Sequence, residues 1–255
     1  MTRVLAFGCH PDDVEFMCGG TLVLLARAGC EIHIAVMAGG EMGSPTLPPQ
    51  EIRAKRLKET EAAAAVIGAT FHYAGGYDIE VEYNGEYRRR AVRVVREADP
   101  DLILTHSPSD YLIDHEETSR LVRTAAFIAP APNFDCGLPT VPTRKIPHLY
   151  YWNALGMKDI LGRPVPMGGY VDVASVMETK VKMLACHASQ RDWLKHINGW
   201  DEYVAVMERM TADQGKAAGL AAAEGFVQHL GNGHPQDDLL KSLLGTRWHQ
   251  ATRPA

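Results

Sequence analysis

An apolar strand that ends on a proline and a cluster of acids constrains this chain more than any other stretch. Val4-Leu5-Ala6-Phe7-Gly8-Cys9 is an apolar run of strand length, and His10-Pro11-Asp12-Asp13 follows at once. A short apolar run bounded by Gly and Pro reads as a buried strand. Pro11 lacks an N–H and cannot continue into a central strand. Ligands of open α/β sheets sit just beyond the carboxyl ends of strands. The geometry of such a sheet therefore places His10, Asp12 and Asp13 where a site is expected.

The pattern then repeats. Thr21 to Ala28 carry apolar residues at helical density after Gly19-Gly20, and Gly29 is a stop. Ile32 to Met37 is a second strand, so the first unit is strand, helix, strand, a parallel pair with a right-handed crossover. Gln50 to Ile67 predicts a helix on which Arg53, Arg56 and Glu59 share a face. Ala69 to Ala74 is a third strand, with Tyr77-Asp78 in the loop after it. Arg88 to Ala98 is a helix with five arginines, read as a solvated face because no aromatic residues interleave them. Asp101 to His106 is a fourth strand, followed by the polar cluster Ser107 to Glu117 and a helix from Thr118 to Phe127. Prolines 130, 132, 139, 142 and 147 mark a long ordered loop before a fifth strand, His148 to Asn153. Gly168 to Val173 is a candidate short strand, Val176 to Ile197 and Glu202 to Gln228 predict helices, and Asp237 to Leu244 predicts a short one that could pack on a neighbouring subunit. The fold class is α/β: a Rossmann-like, mostly parallel sheet of five or six strands flanked by helices. No composition break marks a second domain, so residues 1–255 are expected to form one domain, with 229–255 a C-terminal extension.

A net charge of −5 gives no general attraction for nucleic acid or an anionic membrane, and no apolar run approaches the roughly 18–20 residues of a spanning helix. The first strand begins at once, without a signal-peptide pattern, and five cysteines with no CxxC pair fit reduced thiols. A cytoplasmic protein is expected. The Pro-rich loop and the C-terminal tail are candidates for self-association into a homo-oligomer.

Adjacent central strands would bring His10, Asp12 and Asp13 near Asp114 and His115. Two imidazoles and a carboxylate are a standard set for a catalytic zinc with an open position, where bound water has its pKa lowered to about 7. A second carboxylate is then free to act as general base. Neighbouring side chains on extended backbone diverge, so Asp12 and Asp13 can divide these tasks. The sequence has no G-x-G-x-x-G, no G-x-S-x-G and no Walker A motif. His234-Pro235-Gln236-Asp237-Asp238 echoes the first cluster, but no strand leads into it.

His10-Pro11-Asp12-Asp13-Val14-Glu15 followed by Gly19-Gly20-Thr21-Leu22 resembles the signature of the PIG-L/LmbE family of metal-dependent N-acetylglucosaminyl deacetylases. Asp114-His115, Arg56-x-x-Glu59 and Ala185-Cys186-His187-x-Ser189-Gln190 are similar to that family too. The resemblance implies a zinc, or sometimes ferrous, hydrolase. By position it makes His10, Asp13 and His115 the metal ligands, Asp12 the general base, Arg56 a substrate-contacting arginine and Asp78 a sugar-hydroxyl contact, with Asp114 supporting the ligands from behind. Many members read H-P-D-H where this chain reads Leu112-Ile113-Asp114-His115, so the histidine that steadies the oxyanion or protonates the leaving amine is replaced by Leu112. His187 is the expected substitute, with Tyr111 expected to point away from the side Leu112 faces.

These readings lead to a cytoplasmic zinc-dependent hydrolase that removes an acetyl group from an N-acetylated amino sugar or related amide, a small-molecule substrate. The alternatives are a metal-dependent hydratase or lyase acting on a small oxo-acid, and a metal-retaining binding protein without turnover. Loops 38–50, 75–87 and 129–147 are expected to set the substrate.

Overall fold

The computed structural model describes residues 1–199 and 201–251. The last four residues of the expected C-terminal extension lie outside them. The chain runs β1 (Arg3–Gly8), α1 (Asp13–Arg27), β2 (Glu31–Ala38), α2 (Pro49–Ala65), β3 (Thr70–Gly76), α3 (Gly85–Ala98), β4 (Leu102–Thr105), α4 (Ile113–Ile128), β5 (His148–Trp152) and β6 (Gly169–Asp172). It continues through α5 (Met177–Ala185), α6 (Ala188–Asn198), α7 (Tyr203–Ala218), β7 (Ala223–Gln228), α8 (Leu239–Leu244) and β8 (Trp248–Gln250). No described helix is long and apolar enough to cross a membrane.

All eight strands form one sheet in the order β3-β2-β1-β4-β5-β7-β6-β8. The first five are parallel, whereas β7 runs antiparallel to β5 and to β6, and β8 antiparallel to β6. The expected sheet of five or six strands is thus extended to eight and carries an antiparallel flank, which departs from a Rossmann arrangement. Side-chain alternation divides the core between the two faces. Val4, Ala6, Ile34 and Leu104 pack with α1, whereas Leu5, Phe7, Met37 and Ile103 pack with α3 and α4.

Two helix expectations are corrected. The segment read as helix from Glu202 to Gln228 stops at Gly219, which takes φ 70° as the cap of α7. Residues 223–228 then pair with β5, Trp152 opposite Phe226, and with β6, Val171 opposite Glu224. Local helix propensity in the Ala-rich stretch is overridden by a strand vacancy beside β5. The helix expected from Val176 to Ile197 is broken at Cys186-His187, where His187 leaves helical geometry. The short helix α8 packs on its own molecule, with Leu240 fully buried in the main core. The arginine helix α3 is also less solvated than expected, because Arg96 is buried and bonds to Ala129 O, Ala131 O and Thr140 in the proline-rich loop.

From β1 the chain steps to β2 and β3 on one side, then crosses to β4 on the other. The crevice between the carboxyl ends of β1 and β4 is therefore the switch point of the sheet, where α/β folds bind ligands. Phe7 lies opposite Thr105 there, so the residues after each strand emerge side by side.

Candidate active site

A cavity of about 760 Å³ opens over this crevice, and His10, Asp12, Asp13, Arg56, Asp78 and His115 all line it. His10 Nδ1 is 3.6 Å from Asp13 Oδ2, and His115 Nε2 is 3.5 Å from Asp13 Oδ1. The ligand-capable atoms of His10, Asp13 and His115 all fall within 4.8 Å of one another. The far nitrogen of each imidazole faces carboxylates. His10 Nε2 lies 3.2 Å from Asp114 Oδ2 and 3.0 Å from Asp78 Oδ1, and His115 Nδ1 lies 3.0 Å from Asp110 Oδ1. Carboxylates behind ligating histidines fix ring and tautomer and raise ligand basicity. Two further groupings meet the same distance test, Cys9 with His10 and Asp114, and His106 with Asp110 and His115. Burial pushes the Cys9 thiol up to about 11, and in the second grouping His106 Nε2 already accepts from the Cys9 N–H at 2.9 Å. The donor set His10, Asp13 and His115 fits a divalent transition metal with room left on the cavity side.

Asp13 is held as a carboxylate. Burial acts against its charge, but the neighbouring His115 and then the hydrogen bond with His10 outweigh burial and keep it well below the usual range. Its Oδ2 also accepts from the backbone N–H groups of Cys9 and His10 at 3.1 and 2.7 Å. His106, at the end of β4, stacks on His115 with centroids 4.1 Å apart. Burial, then the neighbouring His115, pushes His106 down to about 4, so it braces the site as a neutral ring.

Asp12 is set apart from the ligand group. It precedes α1 at φ 101°, in the left-handed region. A non-glycine residue there is strained and marks sites where surroundings over-determine the backbone. Tyr203 of α7 donates its hydroxyl to Asp12 Oδ2 at 2.5 Å, and Arg56 Nη2 is 3.8 Å from Oδ1. Arg56 is fixed by bonds to Pro11 O at 2.8 Å and Gly40 O at 3.2 Å. Burial raises the Asp12 pKa, with Arg56 pulling the other way.

Asp78 uses both oxygens inside the protein, one toward His10 Nε2 and one accepting from Met42 N–H at 3.1 Å. It therefore supports His10 as Asp114 does. Asp114 also accepts from Ile79 N–H at 2.7 Å.

His187 does not line the cavity. It is fully buried behind α1, with Nε2 3.4 Å from Glu15 Oε2. The break between α5 and α6 turns the ring inward, so it is not placed as an acid that touches substrate. Leu112 lines the cavity as expected, and Tyr111 lines it too, against the expectation that it points away. The Tyr111 ring meets His115 edge-on at 5.5 Å. Tyr111 is 60% exposed as a residue, yet desolvation at the hydroxyl and then the Asp13 and Asp110 carboxylates push that hydroxyl up, so it stays protonated.

The chain from Leu5 to Ala126 matches the family model described as PIG-L, GlcNAc-PI de-N-acetylase. Residues 5–126 are a PIG-L family domain. The PIG-L match contains His10, Asp12, Asp13, Arg56, Asp78 and His115, but not Tyr203. Among curated relatives, diacetylchitobiose deacetylase of Thermococcus kodakarensis is 26% identical over 88% of this chain and 82% of its own. The 4-oxalmesaconate hydratase of Pseudomonas putida is 24% identical over 88% of this chain and 85% of its own. In fold, the crystal structure of 4-carboxy-2-hydroxymuconate hydratase from Pseudomonas putida superposes with a TM-score of 0.75 at 22% identity, covering 94% of this chain and all of that one.

Sequence reasoning missed Tyr203 and Asp110 behind His115, took His106 for a structural residue at the end of the fourth strand, and quoted Gln190 only within the family-like segment. His106 and Asp110 carry a readable signal, since both follow a strand at the sheet's carboxyl edge. Tyr203 carries none, being 191 residues from Asp12.

Proposed function

We propose that the protein is a metal-dependent amidohydrolase that removes the acetyl group from an N-acetylated amino sugar or related amide. One observation carries this reading: a free carboxylate, Asp12, stands beside a converged two-histidine, one-carboxylate set at the floor of a ligand-sized cavity. Zinc suits these ligands, and ferrous iron suits the same nitrogen and oxygen donors.

His10, Asp13 and His115 would hold a divalent ion, which would supply Lewis acidity to the amide carbonyl and lower the pKa of water. Asp12 takes the proton of the attacking water as the new C–O bond forms. Tyr203 occupies one oxygen of Asp12 and leaves the other, facing Arg56, as the proton acceptor. Tyr111 donates to the carbonyl oxygen as it gains charge, the task for which Leu112 has no group. When the C–N bond breaks, the proton on Asp12 passes to the leaving nitrogen, giving acetate and a free amine.

An acetate-release screen of the zinc-loaded protein across N-acetylated sugars, glycosides and simple amides tests the reading. Release from at least one amide is expected. A hydratase acting on an unsaturated oxo-acid is the second reading, supported by the hydratase among the relatives. Loss of enone absorbance with no acetate from any amide would overturn the first reading in its favour.

A further inference from the structure

The cavity has two unlike ends. The floor is the polar cluster of β1 and β4. The outer wall carries an apolar strip, Phe16 and Met17 of α1, Met157 of the 155–157 turn, Trp193 and Leu194 of α6, and Met210 of α7, with the polar Gln190 and Asn198 of α6 beside it. Apart from α1, this wall lies beyond residue 126, outside the matched family segment. Of the three loops expected to shape the pocket, 38–50 contributes Met42 and Gly43 and 75–87 contributes Asp78 and Ile79, whereas the proline-rich loop 129–147 contributes nothing to the lining.

A pocket that orients a bare sugar needs several placed donors and acceptors around the hydroxyls. This wall offers flexible, polarizable methionines and an indole, which adapt to irregular apolar groups. The charges at its rim neutralise one another. Arg191 pairs with Asp201 at 2.5 Å, Arg209 with Glu202 at 2.5 Å and Asp213 with Lys216 at 2.7 Å. Among the described residues, Lys195 is the lining cation without an ion pair.

We propose that this outer chamber binds an uncharged alkyl or aryl substituent of the substrate, so that the preferred amide is an N-acetylated amino sugar carrying an apolar aglycone. The proposal rests on the amidohydrolase reading for its chemistry, not for its binding. With the acetyl group at the metal-competent floor and the sugar beside Arg56, an aglycone has this wall as its continuation.

The test compares the methyl and hexyl β-glycosides of N-acetylglucosamine by acetate release from the zinc-loaded protein. Full burial of a methylene is worth roughly fourfold in binding, so partial burial of the added methylenes should raise kcat/KM about tenfold or more. Val206, 41% exposed on α7, lines the chamber, and Val206→Glu should bring the hexyl-to-methyl ratio close to unity. Calorimetry with the deacetylated glycosides reads binding without turnover. The hexyl compound should bind more tightly than the methyl one, with a negative heat-capacity change. Acetate release at equal kcat/KM from both glycosides overturns the chamber and leaves the hydrolase standing. Preferential calorimetric binding of the hexyl compound without acetate supports the chamber and removes these glycosides as substrates of the proposed hydrolase. Absence of both binding preference and acetate overturns the chamber. Preference for a phosphorylated or carboxylated glycoside, captured by Lys195, overturns the chamber proposal.

Discussion

Asp12→Asn separates proton acceptance from everything else Asp12 does. The residue sits at φ 101°, a region that costs most L-residues about 1–2 kcal/mol but that Asn tolerates. Asn keeps an oxygen for the Tyr203 hydroxyl now 2.5 Å from Oδ2, and turns an amide toward Arg56 where Asp12 presents Oδ1. That amide cannot accept a proton. The contacts joining Asp13 to His10 and His115 do not pass through Asp12, so metal stoichiometry should be that of wild type. Loss of a positioned general base commonly lowers the rate by roughly 10²–10⁴, equivalent to about 3–5 kcal/mol of barrier. The assay is acetate release at saturating substrate, with metal content by plasma emission and stability by urea unfolding on the same preparation. Asp12→Ala is the companion variant, with a similar rate loss plus about 1–2 kcal/mol of destabilisation from the left-handed backbone. Wild-type turnover by Asp12→Asn at full metal occupancy would refute the assignment of Asp12 as base.

His115→Ala should strip the metal, because three protein ligands leave no redundancy; full occupancy in that variant would show that another grouping holds the ion. Tyr111→Phe should lower kcat by roughly 10²–10³, the cost of one oxyanion donor, with metal content unchanged; an unaltered kcat would place the donor elsewhere. Lys180→Met leaves Glu224 buried among the Gly20 and Thr21 donors without its counter-ion, now 2.7 Å away. That loss should cost about 3–5 kcal/mol in urea unfolding, mostly recovered in Lys180→Met/Glu224→Gln, and a cost equal in both variants would mean that charge is not the cause.

The parallel half of the fold was legible because each strand announces itself. Val4–Phe7, Ile32–Met37 and Leu102–Thr105 are apolar runs closed by turn residues or polar clusters, buried on both faces as parallel strands require. Of the antiparallel flank only β6 was legible, as the short strand read at Gly168 to Val173; β7 and β8 were not. Ala221-Ala222-Ala223-Glu224 reads as helix, and its strand character comes from long-range pairing to β5 together with a buried carboxylate. Glu224 accepts from Gly20 N, Thr21 N and Thr21 Oγ1 and pairs with Lys180, a set of partners that no local window contains.

The site divides along the same line. His10, Asp13 and His115 were readable because metal-competent side chains follow two adjacent strands, and the sheet itself brings those ends together. What aims the chemistry was unreadable. Arg56 is anchored by Pro11 and Gly40 carbonyls, and the expected acid His187 was lost to a helix break that faces it toward Glu15. The same part of the chain that misled at His187 supplies Tyr203, the hydroxyl on Asp12. The candidate metal ligands and Asp12 all lie within residues 5–126, whereas the Tyr203 hydroxyl on Asp12 and most of the outer wall come from α6, α7 and the 155–157 turn beyond it. On the proposed reading, reaction chemistry would rest mainly on residues 5–126, while the segments that supply most of the outer wall, α6, α7 and the 155–157 turn, would set the substrate.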